Sequence, residues 1–259
     1  MFNLFRRRPD PLATVQWPRL LRRMPLLSGL DADEKAKLEA CMRVFLNTKS
    51  IQGAGGLEVD ETMRLGIAAQ ACLPIMELDP KAYDDWNEVI VYPAAFIRSG
   101  DWTDDFGIVT EEREEILLGE ARGDGPMVLS WEDAAHAPRL DGHNVVIHES
   151  AHKLDMKNGR PNGMPPLHRG MSRADWSRAF SHAYRDFCRR LDRGEHSEID
   201  PYAAENPAEF FAVLSEYFFE LPHLLADSYP EVYHQLSLFY RQDPRRRLQM
   251  LGYQASGWS

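Results

Sequence analysis

Cysteine is scarce in this chain. Cys41, Cys72 and Cys188 are scattered, odd in number and in no ligand-like spacing. They argue against a disulfide framework or a cysteine-held metal and fit a reducing cytoplasm. Long apolar runs are missing too, since no 18-residue stretch is apolar enough to span a bilayer. Arg6-Arg7-Arg8 is followed by Pro9-Asp10-Pro11 and not by an apolar segment, so the N-terminus does not read as a secretory signal. A basic surplus is also lacking. Thirty Lys and Arg face forty Asp and Glu, a net charge of −10, which disfavours direct nucleic-acid binding. Internal repeats and low-complexity tracts are absent.

What is present is a globular composition. The 259 residues are 44% hydrophobic and 27% charged, enough for a large core. Residues 31–47 carry Leu38, Cys41, Met42 and Phe45 at helical spacing, and 59–72 form a second, alanine-rich helix. Glu88–Tyr92 is a strand. Ile116–Glu120 and Pro126–Trp131 are two more strand candidates, with Arg122-Gly123-Asp124-Gly125 as a turn. One of these is expected to be the substrate-facing edge. Residues 172–193 form a helix with Trp176, Phe180, Tyr184 and Phe187 as a core stripe, and 230–242 form another.

The chemistry begins at His148-Glu149-Ser150-Ala151-His152, after the apolar run Val145-Val146-Ile147. On a helix, residues four apart share a face. His148 and His152 can therefore hold one zinc ion, and Glu149 can act as base on a zinc-activated water. Asn144 caps the start, and Gly159 and Pro161 end the segment, so a helix is expected over about 144–157. Asp155 lies on the same face, three residues past His152. It could hydrogen-bond a ligand imidazole and fix its tautomer.

A catalytic zinc needs a third protein ligand. No histidine follows at the extended H-E-x-x-H-x-x-G-x-x-H spacing. His168 falls in a Pro/Gly-rich loop and is poorly placed. The better source is a buried helix entered at Asn206-Pro207, with Glu209 three residues after the cap. Glu209 could be a capping-box residue or the ligand, and Glu205 and Glu216 compete for the same role.

His148-Glu149-Ser150-Ala151-His152-Lys153-Leu154-Asp155, with Asp200-Pro201-Tyr202 and Asn206 to Phe219 downstream, resembles the Mlc titration factor A family. These are bacterial zinc peptidases with an active site similar to that of the anthrax lethal factor catalytic domain. The resemblance runs from about Pro25 to Arg247. It implies His148, His152 and Glu209 as ligands, Glu149 as catalytic base and Tyr202 over the metal as oxyanion donor. Asp155 and Glu216 are then left as carboxylates supporting the ligands. Ser150 stands where the family often has a bulkier residue. The resemblance also implies aminopeptidase-type cleavage of peptides and sequestration of Mlc, a DNA-binding glucose repressor.

The expectation is an α+β, zincin-like fold in one domain over 1–259. It would have a small mixed sheet, the metal helix and a helical C-terminal half. Residues 1–25 would form a flexible basic arm, and 26–80 a helical part packed on a catalytic core at 81–250. Arg245-Arg246-Arg247 would be a loosely packed terminus. The alternative function is a non-catalytic, repressor-sequestering protein with a structural or regulatory zinc.

Overall fold

Caps and prolines written into the chain set where its elements begin. The computed structural model describes residues 10, 12, 17–94 and 124–249. The strand expected at Ile116–Glu120, and the first half of the turn after it, lie outside the described residues. So does the basic run at Arg6–Arg8.

Helix α1, Trp17–Arg23, runs into a short 3-10 turn, Pro25–Leu27. Leu12 and Met24, within the stretch expected as a loose arm, are buried, as are Leu26 and Leu27 just beyond it. Asp10 pairs with Arg43 at 3.2 Å. Helix α2, Ala32–Thr48, opens on a capping box in which Asp31 accepts from the amides of Asp33 and Glu34 and Glu34 accepts from the Asp31 amide. Helix α3, Glu61–Cys72, follows strand β1, Ser50–Gly53. Asp60 caps α3 by accepting from the Met63 amide.

Strands β2, Glu88–Tyr92, and β3, Met127–Ser130, complete a sheet of order β1-β2-β3. Ile51 pairs with Val89, and Val89 with Met127. A mixed sheet was expected, but among the described residues all pairs are parallel. The reason is topological. β2 and β3 each enter the sheet only after a long connection from the strand before, which suits parallel neighbours better than hairpins. Val89, Val91, Met127 and Leu129 point into the core.

The rest is helical: α4 Trp131–His136, α5 Val145–Asp155, α6 Arg173–Asp192, α7 Pro207–Glu220, α8 Pro222–Ser228, α9 Pro230–Tyr240 and α10 Pro244–Gln249. Four of these, α7 to α10, start on proline, which lacks the amide that a first helical turn leaves unpaired. α7 is buried along almost its whole length. Trp176 and Phe180 of α6 stack at 4.3 Å and press against Phe210 and Phe211 of α7. α10 is pinned rather than frayed, because Arg247 is buried and donates to Glu34 at 2.9 Å and Gln242 at 3.0 Å. None of the helices in the described residues is long and apolar enough to cross a membrane.

A cationic clamp joins the two halves. Buried Lys49 donates to the carbonyls of Tyr83 and Trp86 and sits 4.3 Å over the Trp86 ring. Lys153 of α5 lies 5.7 Å from the same ring and donates to the Gly125 carbonyl at 2.8 Å. The metal-motif helix is thereby fixed against both the sheet and the N-terminal helices.

Candidate metal centre

Asn144 starts α5. Its side chain accepts from the Ile147 amide at 3.0 Å and so satisfies one of the four unpaired donors of the first turn. Helical spacing then puts His148 and His152 on one face, with ring centroids 4.8 Å apart. On α7, Asn206 accepts from the amides of Ala208 and Glu209 at 2.9 and 3.1 Å. That cap leaves the Glu209 side chain available, and it turns toward the histidines rather than back to the cap.

The two helices pack against each other, and three atoms converge. Glu209 Oε2 lies 3.0 Å from His148 Nε2 and 3.2 Å from His152 Nε2, and the two nitrogens are 3.1 Å apart. The histidines are buried and Glu209 is half-buried. A triangle of these sides leaves a point about 2 Å from every corner, the length of a zinc bond to nitrogen or oxygen. The donor set fits a metal chemically as well. Two imidazole nitrogens face one another beside a carboxylate, and a single proton can bridge only one pair, whereas a cation serves all three.

The electrostatics point the same way. Burial lowers the pKa of His148, but hydrogen bonds to Glu209 and Glu216 outweigh it and hold the imidazole well above its ordinary value. Burial raises that of Glu209, and the two imidazoles more than reverse it, holding the carboxyl well below the usual range. This is a pocket that stabilises positive charge.

Glu216 is not a competing ligand. Its Oε1 accepts at 2.8 Å from His148 Nδ1, the nitrogen facing away from the converging atoms. Its Oε2 accepts from the Asn144 amide. One turn further on, buried Glu220 accepts from the Asn144 side chain at 2.8 Å and the Gly142 amide at 3.1 Å. Two carboxylates of α7 therefore grip the turn that launches α5. The Glu220 contact was not anticipated, although two glutamates four apart in the apolar run Phe210–Glu220 were a visible signal.

Tyr202 is on a 3-10 turn, Pro201–Ala204, whose start is capped by Asp200 accepting from the Tyr202 amide at 2.9 Å. Its ring lies 6.1 Å from that of His148, and it is partly exposed. Glu149 follows His148 on α5 and is half-buried; its charge adds to the field on His148. His168 is elsewhere, with Nε2 2.6 Å from the Phe239 carbonyl and its ring stacked on Phe239. Glu205 is exposed and outside the group.

Asp155 requires a correction. It makes no hydrogen bond to either histidine. Its Oδ2 accepts from the amides of Asn162 and Gly163, both at 2.7 Å. The chain turns back directly beyond α5 and presents two backbone donors to Oδ2, while Oδ1 makes no hydrogen bond among the described residues.

The family model of the glucose-regulated metallo-peptidase M90 matches residues 3–241. The chain belongs to the M90 family. Proteins named Mlc titration factor A from Yersinia pestis (strain Pestoides F) and Yersinia pseudotuberculosis serotype O:3 (strain YPIII) are each 40% identical to it over 244 residues, 93% of this chain and 89% of theirs. In this M90 member, the group of His148, His152 and Glu209 is what could hold the family's metal.

Proposed function

We propose that this protein is a zinc-dependent peptidase of zincin-like fold, of aminopeptidase type, that also binds an Mlc-like transcriptional repressor. The observation that carries the reading is the convergence of His148, His152 and Glu209 within 3.2 Å, with Glu149 next to the first of them. When bound, zinc supplies a Lewis acid for a carbonyl oxygen and lowers the pKa of a water to about 7.

The chain's own residues then have separable tasks. Glu149 takes the proton of the attacking water and passes it to the leaving amine. Tyr202 donates its hydroxyl hydrogen to the developing oxyanion. Glu216 holds the His148 imidazole in the tautomer that leaves Nε2 a lone pair. A peptide backbone can add to a sheet edge. We place it along β3, one of the two outer strands of the described three and the one against which α5 packs. Aminopeptidase preference follows from the family resemblance.

A purely structural zinc would be closed by a fourth protein donor. Among the described residues no further His, Cys, Asp or Glu joins the group, and Glu216 and His168 are committed elsewhere. This supports the enzyme over a non-catalytic, repressor-sequestering protein with a structural or regulatory zinc. Repressor binding is carried over from the name of the relatives, fits the net charge of −10, and implies a cytoplasmic location.

The test compares wild type with Glu149→Gln for zinc stoichiometry and peptide-amide hydrolysis. The variant should keep its zinc and lose activity by about 10²–10⁴-fold. Equal activity in the two proteins would sink the mechanism.

A further inference from the structure

Asp155 is fully buried, and its Oδ1 has no partner among the described residues. A buried carboxylate with one satisfied oxygen is unfavourable unless that oxygen does something the fold needs. Its Oδ2 receives both amides of the Asn162–Gly163 turn. Gly163 has φ +78°, and a Cβ there would lie 2.4 Å from the Pro207 carbonyl oxygen and 3.0 Å from its carbon. The turn therefore rests directly on the backbone of the first residue of α7. Trp176 Nε1 donates to the Gly163 carbonyl at 2.9 Å and holds the turn from behind. Glu209 is two residues beyond Pro207.

We propose that Asp155 is a positioning residue for Glu209, acting through the Asn162–Gly163 turn and its backbone contact with Pro207. This rests on Glu209 being a metal ligand. The helix that carries the two histidines then also fixes, through a loop, the point at which the helix bearing the third donor begins. A displacement of α7 by a fraction of an ångström would carry Glu209 off the shared point, since Pro207 and Glu209 belong to the same rigid first turn. The expected role of fixing the tautomer of a ligand imidazole is different, and the two make opposite predictions.

The experiment is a double-mutant cycle on zinc affinity of the full chain, read by chelator competition. Asp155→Ala should weaken zinc by about 10–100-fold in the wild-type background. In a Glu209→Ala background it should change affinity by less than about a factor of two, because its route to the metal is gone. Asp155→Asn, whose amide oxygen can still accept from both turn amides, should stay within about a factor of two of wild type. Equal losses from Asp155→Ala in both backgrounds would show that it acts through His152 and overturn the proposal. So would an Asp155→Asn loss as large as that of Asp155→Ala. If Asp155→Ala does not fold, Asp155→Val, which removes both acceptor oxygens and leaves less of a cavity, takes its place in the same two backgrounds, with the same outcomes required. An unchanged affinity in Glu209→Ala alone would identify a failure of the ligand assignment itself, and would overturn this proposal along with it.

Discussion

Glu216 Oε1 and His148 Nδ1 lie 2.8 Å apart, and the same carboxylate takes the backbone amide of Asn144. One side chain of α7 thus orients the His148 imidazole and fixes the start of its helix. Glutamine cannot reproduce both bonds. It has one acceptor oxygen, and its amide nitrogen would meet a second donor. Glu216→Gln is expected to weaken zinc binding by about 10–100-fold, measured by chelator competition. Unchanged affinity would remove Glu216 from the support of the site.

Tyr202 lies over His148, with its ring partly in solvent. If its hydroxyl serves the oxyanion, Tyr202→Phe should lower kcat by about 10²–10³-fold. Zinc stoichiometry should not change. Steady-state kinetics beside metal analysis checks this, and a wild-type kcat would reduce Tyr202 to a packing role.

Burial pushes the Glu220 carboxyl up to about 8, although the Asn144 and Gly142 donors pull the other way. Its folded pKa therefore exceeds that of the unfolded chain, about 4.3. Between those values the folded protein holds a proton that the unfolded chain has released. Stability from this group is full below the unfolded pKa, declines as pH rises toward 8, and levels off above. The slope approaches about 1.4 kcal/mol per pH unit. Urea midpoints from pH 5 to 9 should show Glu220→Gln losing less stability with pH than wild type. Parallel curves would mean that Glu220 is ionised throughout.

The helices that carry chemistry were legible because their periodicity is long and their caps are explicit. Asn144 and Asn206 both cap where expected. Helices α1, α4, α8 and α10 have six or seven residues, too few turns for an apolar period to stand out. Pro222 and Pro244 were the available signals for two of them.

Within the site, spacing brought Glu209 and Glu216 to one face but could not divide them. That division depends on which imidazole nitrogen each carboxylate meets, and it is fixed only by how α5 and α7 pack. Asp155 was misread for a related reason. The Asn162-Gly163 pair announces a turn, but nothing in the spacing says that its amides point back into the helix. Arg247 looked like part of a basic terminus, and only the fold reveals its partner, Glu34, 213 residues away.

His152 and Glu209 are separated by 57 residues. During synthesis, at about 5–20 residues per second, Glu209 would follow His152 by roughly 3–11 s. Throughout that interval the emerging chain carries two imidazoles without the carboxylate that completes the donor set. A truncated product ending before residue 209 would therefore be an incomplete chelator, holding two of the three donors.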